Sequence, residues 1–467
     1  MSQLSEAPLG PVARLFALPS RRGRSANRRL PMWSIVGFAV VAGLAIGRFV
    51  TFDGGAAAPA PTLGSSAPLA GTPAERVTAL EASVAADPDD GRTWAQLGTA
   101  YARRAVETGD PSFYGLAERA FDRAGDLVPG DPTLLLGRGA LALSLHRFDE
   151  AEVLGREAVA ELPANAEALG VLVDAQVELG DYEGAAVTLQ QMLDVRPGLP
   201  ALARTSYLRE LEGDLAGAQE AMRRAADAST SSAFDRATVH TLLGGLLLAG
   251  GDVEGALAQH REALRLSPGH IEAELGRARA LAARGELDQA TGAVEAVTDR
   301  FPSPAGLSLL AELRHVTGDR AGEAETVELV RLTTKLQEEA GQVVDLELAL
   351  FEADVASDPD RAVALARRTH EARPANIFAA DALAWALLRS GGADAAVPFA
   401  EQAVRLGTAD PLLQYHAAEV FAAVGDDARA TRHLQQALVA GTAFSVRHAA
   451  AAEALAEQLG VIVGGSR

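Results

Sequence analysis

The chain has 467 residues, with 62 aspartates and glutamates against 42 lysines and arginines, for a net charge of -20. This acid excess argues against a nucleic-acid-binding protein, because the phosphate backbone selects for basic surfaces. The absence of cysteine excludes disulfides, thiolate zinc sites, a cysteine nucleophile and a lipidated cysteine anchor.

The N-terminal region combines a basic segment, residues 1–29, with an uncharged run that begins at Leu30. Residues 30–52 are long enough to cross a hydrocarbon core of about 30 Å if Arg48 snorkels to the interface. We therefore predict one transmembrane helix at 30–52 in a bacterial cytoplasmic membrane. Arginines crowd its N-terminal side, so the positive-inside rule places residues 1–29 in the cytoplasm and the remainder of the chain outside.

Two alternatives remain open for this region. Small residues follow the apolar run, as they do at a signal-peptide cleavage site, and cleavage there would release a secreted protein. Gly43 and Gly47 form a small-xxx-small pair that could join two such helices in a homodimer. Residues 53–74 are rich in proline, alanine, glycine and serine and are interpreted as a flexible linker.

The remaining sequence repeats with a period close to 34 residues. Pro129, Pro163 and Pro197 are separated by 34 residues each, and each unit shows an apolar-periodic helix, a Gly/Asp turn and a second helix. Periods in this range indicate a solenoid. One position holds alanine in every unit: Ala117, Ala151, Ala185, Ala218, Ala256, Ala290, Ala324, Ala362, Ala396 and Ala430.

The best-matched unit combines a first-helix pattern with a second-helix pattern, namely Trp94, Leu97, Gly98 and Tyr101, then Ala117, Phe121, Ala124 and Pro129. On these residues the chain resembles the tetratricopeptide-repeat family, as a bacterial membrane-anchored member. The resemblance implies an all-α, right-handed helical solenoid of about ten helix-turn-helix repeats over residues 91–440. A capping helix at 75–90 and a capping helix with tail at 441–467 are expected to flank it.

Motifs that carry chemistry are missing from the sequence. It has no phosphate-binding loop with its lysine, no HExxH, no GxSxG and no EF-hand loop, and the repeats leave no room for a catalytic domain. The nine histidines show no pair at ligand spacing on one helix face. We therefore predict a protein that is not an enzyme and that has no catalytic residues, no cofactor and no metal site.

The resemblance also implies where a partner binds, because the first helix of each unit lines the concave face of such a solenoid. The side chains there mix acids with aromatics and are expected to be accessible to a protein or peptide with basic and apolar residues. A solvated groove in an acidic protein is the alternative. The implied partner-binding residues are Glu167, Asp174, Tyr207, Glu210, Glu347, Phe351, Asp354, Phe378, Asp381, Trp385, Tyr415 and Glu419.

These features favour a non-catalytic, membrane-tethered scaffold or adaptor that binds protein partners through an acidic concave groove on the extracytoplasmic side. The alternative function is an accessory or assembly subunit of an envelope enzyme or transporter, such as a polysaccharide, cytochrome or metal-uptake system. The two differ in what should co-purify: many weakly bound peptides for the scaffold, and one stoichiometric membrane partner for the subunit.

Overall fold

The structure is a computed structural model that describes residues 73–462, apart from residues 109, 229–231 and 357. The predicted transmembrane helix at 30–52, its glycine pair and nearly all of the predicted linker lie outside the described residues. Among the residues described, no helix is long and apolar enough to cross a membrane.

Helices account for all the regular secondary structure in the described part of the chain, and the prediction of an all-α helical solenoid is confirmed. The first half of the helices are α1 (Pro73–Ala86), α2 (Gly91–Thr108), α3 (Ser112–Leu127), α4 (Pro132–Ser144), α5 (Phe148–Glu161), α6 (Ala166–Leu179), α7 (Tyr182–Val195), α8 (Leu199–Leu211), α9 (Leu215–Asp227), α10 (Ala233–Ala249) and α11 (Val253–Leu266). The second half are α12 (Ile271–Ala283), α13 (Leu287–Arg300), α14 (Pro304–Thr317), α15 (Arg320–Glu339), α16 (Asp345–Asp354), α17 (Pro359–Ala372), α18 (Ile377–Arg389), α19 (Ala393–Ala403), α20 (Pro411–Ala423), α21 (Asp427–Ala437) and α22 (Ala449–Leu459).

Helices α2 to α21 form ten consecutive helix-turn-helix pairs, which we number as units one to ten. In eight of the ten units the two helices make their most extensive contact with each other; in units two and three, α5 and α6 contact each other more extensively than their own partners. Helix α1 packs on unit one and helix α22 on unit ten, so each end of the solenoid is covered by one additional helix. A stack of this kind buries the apolar face of each unit only against its neighbours.

A Gly-Asp turn sets the register of units three, four, five, seven and ten. In unit three, Gly180 has a φ of +86°, a conformation that glycine adopts without a steric penalty. The side chain of Asp181 then accepts a hydrogen bond from the backbone N–H of Gly184 at 2.9 Å and so caps the second helix. Equivalent aspartate caps recur at Asp214, Asp252, Asp319 and Asp426.

The repeated alanine marks the closest crossing between the helices of a unit. In nine of the ten units this alanine is fully buried, with 0% of its surface exposed. Such burial is expected where a small side chain allows two helix backbones to approach. The exception is Ala324, which is exposed. Because Asp319 caps α15, the residue four positions later, Glu323, occupies the alanine position, so the sequence alignment of unit seven was wrong by one residue.

The solenoid coils so that its later units contact its earlier ones. The backbone N–H of Val343, before unit eight, donates to the carbonyl oxygen of Leu145 in unit two at 3.0 Å. The backbone N–H of Ile377, the first helical residue of unit nine, donates to the hydroxyl of Tyr182 in unit three at 3.0 Å. The turn of unit four likewise contacts the chain before unit ten, where Gly213 lies against Gly407. The turn of unit five contacts the chain after unit ten, where Gly251 lies against Ala440. One superhelical turn therefore takes about six units, and the inner surface is partly enclosed.

Candidate interaction groove

The twelve residues predicted for the groove all lie on first helices of their units. Units three and four contribute them from α6 and α8, and units eight, nine and ten contribute them from α16, α18 and α20. Their side chains do not form one open surface, since several are buried against neighbouring first helices. Whether they bind a partner stays a prediction.

In units three and four the predicted acids are paired or buried. Arg204, which the sequence analysis did not select, donates to both carboxylate oxygens of Asp174, from Nε at 2.8 Å and from a terminal nitrogen at 2.6 Å. Tyr207 and Glu210 on the same helix as Arg204 are 5% and 7% exposed. Glu167 and Asp174 are partly exposed, whereas Glu210 is buried.

In units eight to ten the predicted residues contact one another. Trp385 donates its indole N–H to Asp354 at 2.6 Å, and the hydroxyl of Tyr415 donates to Glu419 at 2.7 Å. Asp381 contacts Nδ1 of His416 with both carboxylate oxygens, at 3.1 and 3.0 Å. This arrangement joins α16, α18 and α20 side by side.

The expectation that Asp381 and Trp385 are accessible is wrong, because each is only 3% exposed. Phe351 and Tyr415 are also buried, while Phe378 and Glu419 remain partly exposed. The physical reason is that adjacent first helices cover the base of the groove and a segment outside the repeats covers its mouth.

That segment is residues 438–448, which join α21 to α22 and which we call the C-terminal segment. Its Phe444 lies 5.6 Å from the ring of Tyr415, and its His448 lies 5.5 Å from the ring of Trp385 in an edge-on arrangement. Arg447 approaches Glu323 of unit seven at 3.7 Å. The C-terminal segment therefore reaches over units seven to ten, a contact that repeat alignment cannot predict because the segment belongs to no unit.

The charges around this segment are strongly coupled. Burial alone would raise the pKa of Asp354, but the charge and hydrogen bond of His448, followed by His416 and Trp385, lower it to about 2. Burial lowers the pKa of His416, but Asp381 outweighs that effect and raises it overall. Histidines that the sequence places on separate elements thus converge on one carboxylate.

Three further groove residues were missed by the sequence analysis: Glu272, Arg279 and Glu312. Burial raises the pKa of Glu272 to about 7, raises that of Glu312, and lowers that of Arg279. Applying the same within-unit positions to unit six would have identified Glu272 and Arg279. Glu312 appears at the equivalent position only after the one-residue correction to unit seven.

Glu347 lies apart from the other groove residues, in a cavity of about 320 Å³ between the two superhelical turns. His146, Arg147 and Phe148 of unit two line one side, and Glu347 and Arg373 of unit eight line the other. The side chain of Glu347 is 22% exposed and lies 3.8 Å from Nδ1 of His146. Most of the cavity surface is apolar, and charged side chains of both signs lie on its walls.

Comparison with known proteins identifies the repeat. A family model for the tetratricopeptide repeat matches residues 142–205 and 247–313. A thermophilic repeat protein of Thermus thermophilus is 24% identical, with 40% of this chain and 99% of that chain covered and a TM-score of 0.35. PilF of Pseudomonas aeruginosa is 19% identical, with 43% and 91% covered and a TM-score of 0.36. Yeast Tom70 is 13% identical, with 78% and 96% covered and a TM-score of 0.32. No curated protein matches the chain.

Proposed function

Because the chain is a tetratricopeptide-repeat protein, we propose that it is a non-catalytic scaffold or adaptor. In this proposal a single N-terminal helix tethers it to the bacterial cytoplasmic membrane, and its repeats bind protein partners on the extracytoplasmic side. Repeats of this type form extended surfaces that typically bind other proteins.

The observation that carries the proposal is the continuity of the repeats. From Pro73 to Leu459 the helices follow one another, and the longest interval between two of them is the C-terminal segment, residues 438–448. No independently folded unit is inserted among the described helices. This continuity supports a function in which the described repeats present a surface to other proteins.

The chemistry of the groove supports a basic and partly apolar partner. Glu167, Glu347 and Glu419 keep part of their surface exposed, and the chain as a whole is acidic. Phe378 is also partly exposed on a first helix, and a groove that offers both aromatic and acidic side chains favours arginine or lysine through ion pairing and cation-π contact. A cationic peptide segment is thus the expected ligand.

Cross-linking in native membranes followed by mass spectrometry tests this function. We expect a partner that cross-links to the wild-type protein to be lost from a Glu167→Arg, Glu419→Arg variant, because the charge of the groove is reversed. The matched control is Glu157→Arg with Glu220→Arg, which reverses two exposed charges on second helices. Equal capture by both variants would contradict a groove-binding function, and a single stoichiometric membrane partner would favour the accessory-subunit function.

The proposed orientation has its own test. Protease added to intact spheroplasts should digest the repeats, because the proposal places them outside the cytoplasmic membrane. Full protection of the repeats, with digestion only after lysis, would overturn the extracytoplasmic location.

A further inference from the structure

Asp354, His416 and His448 bring three metal-binding side chains together from three separate parts of the fold. Asp354 ends α16 in unit eight, His416 lies on α20 in unit ten, and His448 belongs to the C-terminal segment. One ligand atom of each lies within 4.8 Å of the others. Two histidines and a carboxylate are a donor set that divalent transition metals bind in proteins.

The closest pair in this cluster already has the spacing of bound ligands. Asp354 Oδ2 and His448 Nε2 are 3.4 Å apart. Two ligands at about 2.1 Å from one tetrahedral ion are separated by roughly 3.4 Å. Separations of up to 4.8 Å elsewhere in the cluster exceed that value, so an ion would draw the three side chains inward.

A supporting shell holds two of the three side chains in ligating orientations. Asp381 engages Nδ1 of His416, which leaves Nε2 as the ring nitrogen available to an ion. Trp385 donates to Oδ1 of Asp354, which leaves Oδ2 directed to His448. A carboxylate that orients a histidine from behind is the usual outer shell of a metal site.

The second, independent observation is an unsatisfied atom. The His416 side chain is 1% exposed, and its Nε2 has no hydrogen-bond partner among the described residues. A buried polar atom without a partner destabilises the folded state. The ring also lies flat against Trp385, with centroids 4.0 Å apart, so it cannot turn its nitrogen to solvent without losing that stacking.

We propose that Asp354, His416 and His448 bind one divalent transition-metal ion, with Zn²⁺ as the best fit to a two-histidine, one-carboxylate donor set. Asp381 is a positioning residue that orients His416. Because the ligands come from unit eight, unit ten and the C-terminal segment, the ion fastens that segment across the groove. Other charged groups near the cluster include Glu312 of unit seven, Arg447 of the C-terminal segment and Asp410, which caps α20.

The test uses the full chain after EDTA has removed any bound metal. ZnCl₂ is titrated into it and followed by calorimetry, and CoCl₂ is titrated into it and followed by visible absorption. We expect one ion per wild-type chain, and we expect the visible spectrum of the bound cobalt to indicate a low coordination number. His448→Gln and Asp354→Asn should abolish stoichiometric binding, and Asp381→Asn should weaken it by about 10- to 100-fold. The control is His240→Gln on α10, which removes a histidine that contacts Gln259 and is not one of the three proposed ligands.

His448→Gln is the decisive variant, because His448 lies outside the repeats; its replacement removes ring contacts with Trp385 and Tyr415 but changes no side chain of a repeat unit. Zn²⁺ should also slow proteolysis within the C-terminal segment of the wild type but not of this variant. Absence of stoichiometric binding to the wild type would overturn the proposal, as would equal binding by His448→Gln and His240→Gln.

Discussion

One side-chain position on the second helix shows how neighbouring units pack against each other. In unit one Phe121 fills the space left by two glycines of neighbouring first helices, and in unit five His260 fills the equivalent space. A Cβ added to Gly244 or Gly276 would lie 2.7 or 2.3 Å from the His260 ring. The ring is 1% exposed, and neither of its nitrogens has a hydrogen-bond partner among the described residues. His260 therefore acts as an aromatic spacer that carries two unsatisfied polar atoms.

Replacing this histidine by phenylalanine should stabilise the protein. His260→Phe keeps a flat ring between Gly244 and Gly276 and removes the buried nitrogens, so we expect the free energy of unfolding to rise by about 1 kcal/mol or more. Urea unfolding at pH 7 measures the change. A loss of stability would show that the space in unit five is too small for the ring that unit one accepts.

The advantage of this variant should grow in acid. Burial lowers the pKa of His260 to about 4, below its ordinary value of 6.5. Between these values the unfolded chain binds a proton that the folded chain does not, so His260 makes the wild type less stable as pH falls from about 6.5 to 4. His260→Phe lacks this loss, and its lead should widen by up to about 1.4 kcal/mol per pH unit. A pH-independent difference would contradict the burial of a neutral ring.

At the scale of the helix, a glycine on the second helix of one unit and a glycine on the first helix of another have opposite effects on stability. Gly292 lies exposed within α13, where an added Cβ would meet nothing within 4 Å. Gly137 lies within α4, where an added Cβ would be 2.4 Å from the ring of Phe121. The first glycine only loosens its helix, whereas the second permits the contact between units one and two.

The same substitution should therefore have opposite effects at these two sites. Gly292→Ala should stabilise the protein by about 0.5–1 kcal/mol, because alanine restricts the unfolded chain and favours the helix. Gly137→Ala should destabilise it by about 1–3 kcal/mol through overpacking against Phe121. Chemical denaturation of the two variants in parallel checks both signs, and destabilisation by Gly292→Ala would argue against its exposed position.

Whole-molecule shape depends on contacts between successive superhelical turns. Arg373 pairs with Glu178 at 3.1 Å, and the side-chain amide of Asn376 donates to the carbonyl oxygen of Glu178 at 2.9 Å. These contacts join residues almost 200 positions apart in the chain. An ideal solenoid has contacts only between adjacent units, so these additional contacts make distant units unfold together.

A glycine pair isolates this effect. Gly213 and Gly285 have φ values of +81° and +84°, so alanine at either site costs about 1–2 kcal/mol of backbone strain. Only at Gly213 would the new Cβ meet the other turn, 2.3 Å from the carbonyl oxygen of Gly407. Gly213→Ala should therefore lose more stability than Gly285→Ala and increase the radius of gyration in small-angle X-ray scattering. Equal scattering profiles would contradict contact between the turns.

Much of the candidate site could be placed from sequence, but its exposure could not. Repeat alignment put Asp381 and Trp385 on the first helix of their unit, as found, because helix period and turn chemistry are local. Their burial arises from α16, α20 and the C-terminal segment, which are distant in sequence. The misplacement of unit seven has a different, local origin: Glu323 and Ala324 are both compatible with the period, and the cap at Asp319 decides between them.

The sequence by itself determined the helical repeats, their number and their turns, because apolar period, glycine and capping aspartate act within one unit. Only the tertiary structure decided that the solenoid contacts itself after about six units and that the C-terminal segment covers the groove. The physical reason is that small rotations between neighbouring units add up over the stack. They bring together residues such as Asp354 and His448, which no local pattern connects.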